Sequence, residues 1–307
     1  MRPIALPSPV VGALLRPCYR LALNHRLPFT VQRQLLDAIA PVQTLPPGAR
    51  RARLTLGGRP VERWTGSTAT RGAVLYLHGG GYTVGSFRTH RSVAAYLSRA
   101  AGAPVYLLDY RLAPEHPYPA AVDDAVAAFD ELISVHGYPP GQIAIAGDSA
   151  GGGLAVATTR RLVDAGTVPA ALAVMAPWVD PNDTEVGQYD LVLNTYWSKA
   201  CALAYLGAGD PNDPGYAPLL GPLEGLPPTL IHVASDELLR DQAVALADKL
   251  HAAGVDARLV EQPRLWHVAH LQAALVREAR EAVDDLGTFI KQRLEAMSVE
   301  PPTRDVG

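Results

Sequence analysis

Cysteine is scarce in this 307-residue chain: only Cys18 and Cys201 occur, far apart in sequence. A disulfide framework is therefore excluded, and no C-x-x-C pair offers a metal or redox site. Both thiols are expected to be free and buried, the usual place of unpaired cysteine. Charge is sparse too. Charged residues make up 19% of the chain, the net charge is −3, and no segment is dominated by Lys or Arg. That argues against a nucleic-acid partner. Long apolar runs are missing. None reaches the roughly 18 residues a membrane span needs. The opening MRPIALPSPVVGALLRPCYR holds an apolar stretch, but Pro7 and Pro9 interrupt it and Arg16-Pro17 ends it early. No small-residue cleavage site follows. A soluble cytoplasmic protein without stable membrane insertion is the expectation.

What is present is apolar residues, 48% of the chain, enough for one large core with room for a smaller appended element. Residues 10–25 and 30–40 show helical spacing, with Thr30 as the expected N-cap of the second helix. ARLTLGG and PVERWT read as two strands joined by a Gly-Gly-Arg turn. An alternation follows: strand 73–78, helix 89–101, strand 104–110, helix 120–136, strand 142–147, helix 150–165, strand 171–177. After a break it resumes with strand 229–235, helix 240–253, strand 256–262 and a long helix at 270–296. Short apolar runs alternating with helices predict βαβ units and a mainly parallel sheet. Polar chemistry on such a sheet sits at the C-terminal ends of the strands. Residues 178–222 lack a clear strand and are rich in Pro, Gly, Asn and Asp. A structureless loop of that length does not suit a compact domain, so helices are expected there, one near 194–207. With residues 1–45 this stretch is a candidate lid. Residues 298–307 read as a disordered tail.

Gly147-Asp148-Ser149-Ala150-Gly151 matches G-x-S-x-G at an expected strand-to-helix junction. Chance supplies on the order of 0.1 such matches in a chain this long, so the junction matters as much as the motif. A sharp turn there exposes the serine hydroxyl, and side chains at the flanking glycines would clash. The next amide, that of Ala150, lies at a helix N-terminus, where negative charge is favoured. Upstream, His78-Gly79-Gly80-Gly81 ends a strand, and its bare backbone can present N–H groups to a substrate oxygen. His78 itself is expected to be structural.

A nucleophilic serine needs a base and an orienting acid. In sheets carrying G-x-S-x-G the order is Ser, acid, His. Trp266-His267-Val268-Ala269-His270 lies beyond the last strand; His267 is the expected base, and His270 falls in a first helical turn. His25, His90, His116, His136, His232 and His251 precede that strand and are assigned structural roles. The acid should follow strand 229–235, where Asp236, Glu237 and Asp241 stand. Asp241 suits a helix start. Spacing alone leaves Asp236 and Glu237 open.

Taken together, HGGGY (78–82), DYRLAPEHPYPAAVDDA (109–125), GDSAGGG (147–153), SDELLRD (235–241) and WHVAH (266–270) resemble the hormone-sensitive-lipase-like esterases, bacterial family IV of the α/β-hydrolases. The likeness covers roughly residues 55–290. It implies an α/β-hydrolase fold, a mostly parallel eight-stranded sheet flanked by helices, with a helical cap. On that reading 1–45 is an N-terminal cap segment, 46–177 and 223–297 the core, and 178–222 a cap insertion. It also implies Ser149 as nucleophile, His267 as base, and Gly80, Gly81 and Ala150 as oxyanion donors. The family's acid opens an acid-x-Leu-x-Asp pattern, which falls on Glu237 where most members carry Asp. After the base many members have Gly-Phe; here Val268-Ala269 follow. Tyr110, Arg111 and Glu115 are read as a buried charged network holding the oxyanion loop.

The resemblance implies a serine carboxylesterase for small, short-chain acyl esters, with an acyl-enzyme intermediate and no metal or organic cofactor. Amide or acetyl deacylation and lactone opening would use the same groups, and fold does not separate them. A small-ligand receptor on this fold is the non-enzymatic alternative; such receptors lose the histidine retained here. Homodimer formation is left open.

Overall fold

The computed structural model describes residues 6–66, 72–183 and 187–296. The expected tail at 298–307 lies outside them. Eight strands form one sheet in the order β1-β2-β4-β3-β5-β6-β7-β8. β1 (Arg50–Leu56) and β2 (Arg59–Thr65) form an antiparallel hairpin, and β2 pairs antiparallel with β4 (Val105–Leu108). The hairpin turns on two residues, Gly57 and Gly58, both with positive φ (56° and 72°), the conformation a two-residue turn between twisted strands requires. β3 (Ala73–Leu77), β4, β5 (Ile143–Asp148), β6 (Ala171–Met175), β7 (Thr229–Ala234) and β8 (Ala257–Gln262) run parallel.

Every residue of β3 to β7 is buried. These strands therefore read as continuous apolar runs, because helices cover both faces. Val74, Tyr76, Val105 and Leu107 face α3 (Phe87–Ala101) and α8 (Arg277–Ala296). Their neighbours Leu75, Leu77, Tyr106 and Leu108 join α4 (Ala120–Ser134), α5 (Ala150–Asp164) and α7 (Arg240–Ala252) in the larger core. Each fully buried Leu or Val in these layers contributes about 1.5–3 kcal/mol through removal from water.

The chain runs from β3 outward to β4, then returns to β5 on the other side of β3. That reversal opens a crevice beyond the strand ends, the usual place for ligands in such sheets. In register, Leu77 of β3 lies beside Gly147 of β5. The HGGG loop and the Ser149 turn therefore leave the sheet side by side.

Several boundaries differ from expectation. α1 spans Ser8–Ala22 and passes through Pro17. α2 (Phe29–Ile39) starts after Pro28 without a side-chain cap; Thr30 lies within its first turn, because Pro28 already fixes the entry to the helix. The expected helix at 270–296 is split. Ala269–Gln272 is a 3-10 turn and α8 begins only at Arg277. In the 178–222 stretch, α6 (Thr195–Leu206) takes Asn194 as N-cap, whose side chain accepts from Trp197 N. α1, α2 and α6 pack together: Gln32 Nε2 donates to the Asn24 and Leu27 carbonyls, and Trp197 Nε1 donates to Gln32 Oε1 at 2.7 Å.

Candidate active site

Ser149 sits between β5 and α5 at φ 53°, ψ −121°, a strained conformation for a residue with a Cβ. Surrounding bonds fix it. Its N–H donates to Met175 O at 2.8 Å, and its carbonyl accepts from Trp178 N at 2.9 Å and Gly153 N at 3.1 Å. The flanking glycines are needed for space. A Cβ on Gly151 would lie 2.1 Å from the Leu77 carbonyl oxygen, and one on Gly147 2.2 Å from that of Gly151.

His267 bridges two of the expected partners. Its Nε2 is 3.0 Å from Ser149 Oγ, and its Nδ1 is 2.9 Å from Glu237 Oε1. A carboxylate accepts only, so Nδ1 carries the proton and Nε2 faces the serine hydroxyl as acceptor. Burial pushes the His267 pKa down, but the charge and hydrogen bond of Glu237 outweigh it and hold the pKa above the ordinary 6.5. Glu237 is itself anchored, its Oε2 accepting from Ala234 N at 2.9 Å. Asp236 is exposed at the same turn, and the Asp241 side chain lies in solvent beside Arg240. Of the three carboxylates the sequence offered, Glu237 is the one bonded to His267.

The HGGG segment forms a tight turn: Gly80 O accepts from Thr83 N and Val84 N. The amides of Gly80, Gly81 and Ala150 donate to no protein acceptor among the described residues. Gly79 and Gly80 line the pocket together with Ser149, and Ala150 opens α5 directly after the serine. Buried Asp148 ties this turn to the serine turn. It accepts from Gly79 N at 3.1 Å, from Tyr76 Oη at 2.8 Å, and bonds His90 Nε2 at 3.2 Å. Burial raises the pKa of Asp148, but His90 and the hydrogen bonds prevail and keep it ionised. Tyr110 donates to His78 O at 2.6 Å and stacks on the His78 ring.

The expected single network around Tyr110, Arg111 and Glu115 divides. Arg111 forms a two-pronged pair with Asp124 of α4. Glu115 is half exposed and pairs with Arg33 of α2, which also donates to Thr83 O. The sequence had no signal for Arg33, because its partners lie at least 50 residues away in two separate loops. Cys201 is buried on α6 against Thr83 Oγ1 at 3.2 Å and borders Gly81. Cys18 and Cys201 are both free, but only Cys201 is buried as expected; Cys18 is partly exposed on α1.

Two further groups gain their setting only in three dimensions. Val268 adopts φ 49° and lines the pocket, strained backbone for a β-branched residue. Beneath it, buried His270 bonds His232 at 3.2 Å, and His232 bonds Asp285 of α8 at 3.0 Å. Ser149 and His267 line a pocket in which Leu15, Tyr19, Leu36, Val192 and Trp197 make much of the apolar wall. Among the described residues no cluster of His, Cys, Asp and Glu could hold a metal ion.

A family model described as the alpha/beta hydrolase fold matches residues 74–271. The chain belongs to the hormone-sensitive-lipase-like esterases of the α/β-hydrolase family. It is similar to an acetyl-hydrolase of Streptomyces hygroscopicus, 43% identical over 71% of this chain and 75% of that one. The carboxylesterase NlhH of Mycobacterium tuberculosis is 36% identical over 73% of this chain and 74% of its own. A crystal structure of an esterase from the bacterial hormone-sensitive lipase family superposes with a TM-score of 0.86 at 38% identity, covering 92% of this chain and 98% of that one. This esterase has no described helix long and apolar enough to cross a membrane.

Proposed function

We propose that this esterase is a serine carboxylesterase for small, short-chain acyl esters. The observation that carries the reading is His267 held between Ser149 Oγ and Glu237 Oε1 at 3.0 and 2.9 Å on the floor of an apolar pocket. Ser149 Oγ attacks the ester carbonyl while its proton passes to His267 Nε2. Glu237 keeps the imidazole in the required tautomer and stabilises its cationic form. Negative charge on the former carbonyl oxygen is met by the Gly80, Gly81 and Ala150 amides and by the positive end of α5. His267 then gives its proton to the departing alkoxide, leaving an acyl-enzyme. Water loses a proton to His267, attacks the acyl carbon, and the carboxylic acid leaves as Ser149 is reprotonated.

The N-terminal helices and the 178–222 insertion act as a cap that shapes the acyl site, since Leu15, Tyr19, Leu36, Val192 and Trp197 all come from them. Ser149→Ala should abolish hydrolysis of p-nitrophenyl butyrate. Equal activity in the variant and the parent would remove the proposal. Across p-nitrophenyl esters from acetate to laurate, rates should peak at short chains and collapse at laurate; a laurate optimum would refute the short-chain reading. The relative named acetyl-hydrolase brings acetyl esters and acetyl amides within the same chemistry. Parallel ester, amide and lactone assays distinguish these leaving groups.

A further inference from the structure

The inner face of α1 is explained by the pocket; its outer face is not. Val11, Leu15, Tyr19 and Leu23 turn toward the core and pocket. At about 100° per residue, Val10, Leu14, Pro17 and Leu21 fall within an arc of about 60° on the opposite side. Leu14 and Leu21 are 65% and 59% exposed, and Val10 is 48% exposed. A helix apolar on both faces is ordinarily covered on both. Beside this stripe the insertion presents two more exposed rings, Tyr189 and Tyr196. Arg20 lies 5.2 Å over Tyr189, and His25 stacks on Tyr196.

α1 itself carries charge of one sign. Five arginines and no acidic residue precede Asp37, although the whole chain carries −3, and of these Arg33 is paired with Glu115. Arg16, Arg20 and Arg26 are exposed and form no ion pair with a carboxylate among the described residues. Aliphatic side chains flanked by arginine and tyrosine are the composition of helices that lie in a lipid headgroup region. Pairing with a second copy through this face would set arginines against arginines, which argues against it.

We propose that the outer face of α1, with Tyr189 and Tyr196, docks this esterase on an anionic phospholipid surface. The pocket wall formed by the inner face of the same helix then stands at the lipid boundary. The docking does not depend on which ester is cut or on Ser149 being the nucleophile.

The test is co-sedimentation of the full chain with vesicles of phosphatidylcholine alone or mixed with phosphatidylserine, at low and high salt. Binding is expected to the mixed vesicles, weakened by salt. Arg16→Gln and Arg20→Gln should each lower it about fivefold, the effect of one basic residue near a charged bilayer. Leu14→Glu with Leu21→Glu should abolish it. Unchanged hydrolysis of soluble p-nitrophenyl butyrate by these variants shows that they fold and separates this proposal from the catalytic one. Equal binding to both vesicle types, or full binding by the Leu14/Leu21 variant, would overturn the docking surface. So would a dimer in solution that Leu14→Glu dissolves.

Discussion

Glu237→Gln tests the site most sharply, because the replacement keeps shape and removes only charge and symmetry of acceptance. Glu237 accepts two hydrogen bonds, from His267 Nδ1 at 2.9 Å and from Ala234 N at 2.9 Å. A glutamine amide has one oxygen and one NH₂. With the oxygen toward His267, the NH₂ faces the Ala234 N–H. Turned over, it faces Nδ1 and forces the proton onto Nε2, where the base must accept. The first orientation strands the buried Ala234 N–H, at about 1–3 kcal/mol; the second satisfies it but holds the imidazole in the wrong tautomer. The lost tautomer control and lost charge cost more. Removing such a carboxylate from a serine triad lowers kcat by about 10⁴, or about 5 kcal/mol in activation free energy. A loss of about 10³–10⁴ in kcat/KM is therefore expected at neutral pH. The pH profile adds an independent readout. His267 works as a base only when neutral, and its pKa is raised above 6.5, so parent activity should fall as pH drops through a value above 6.5. Without the Glu237 charge, burial acts with less opposition and the acid limb should move to lower pH. Stopped-flow or steady-state assays with p-nitrophenyl butyrate across pH 5–9, a span of roughly two units around the imidazole range, decide the matter. Retention of activity within about tenfold, or loss of activity on Asp236→Asn instead, would refute the reasoning.

Val268→Gly should be at least as stable as Val268→Ala, by about 1 kcal/mol, because only glycine relieves φ 49°; urea melts with Ala the more stable would contradict the strain. Gln32→Leu strands the Asn24 and Leu27 carbonyls and Trp197 Nε1, so it should cost about 3 kcal/mol or more and raise KM as the pocket wall at Leu36 and Trp197 loosens; an unchanged melt would rule out this role. Burial, foremost, lowers the pKa of His78 to about 4 and of His270 to about 3. The unfolded chain takes up protons near 6.5 that the folded chain refuses, so stability should be full above 6.5 and fall as pH drops toward those values. A Tm that stays flat between pH 6.5 and 4 would contradict it.

The β/α alternation was legible because each parallel strand is apolar throughout and each helix repeats at its own period. HGGG, G-x-S-x-G and the late histidine were legible because they end strands, and in a parallel sheet the strand ends meet. Less legible were the features set by chain direction after a strand. The Ser235–Leu239 turn buries Glu237 and leaves Asp236 in water, and neighbouring residues on a turn have no periodicity to tell them apart. The partition of Arg111 and Glu115 between different helices was hidden for a related reason: Asp124 lies on the next helix, but Arg33 comes from α2, 82 residues before Glu115.

By itself, then, the sequence determined the architecture, the order of the chemistry-bearing loops and the identity of the candidate serine and histidine, because local pattern and backbone sterics act over a few residues. Spacing left Asp236 and Glu237 open and only the family resemblance pointed to Glu237; tertiary structure brought that carboxylate to His267, and it alone decided how Asp148 joins two loops through Tyr76 and His90 and which side of α1 faces the pocket. Those outcomes depend on contacts between residues tens to hundreds of positions apart, formed only once the sheet has closed the distance between them.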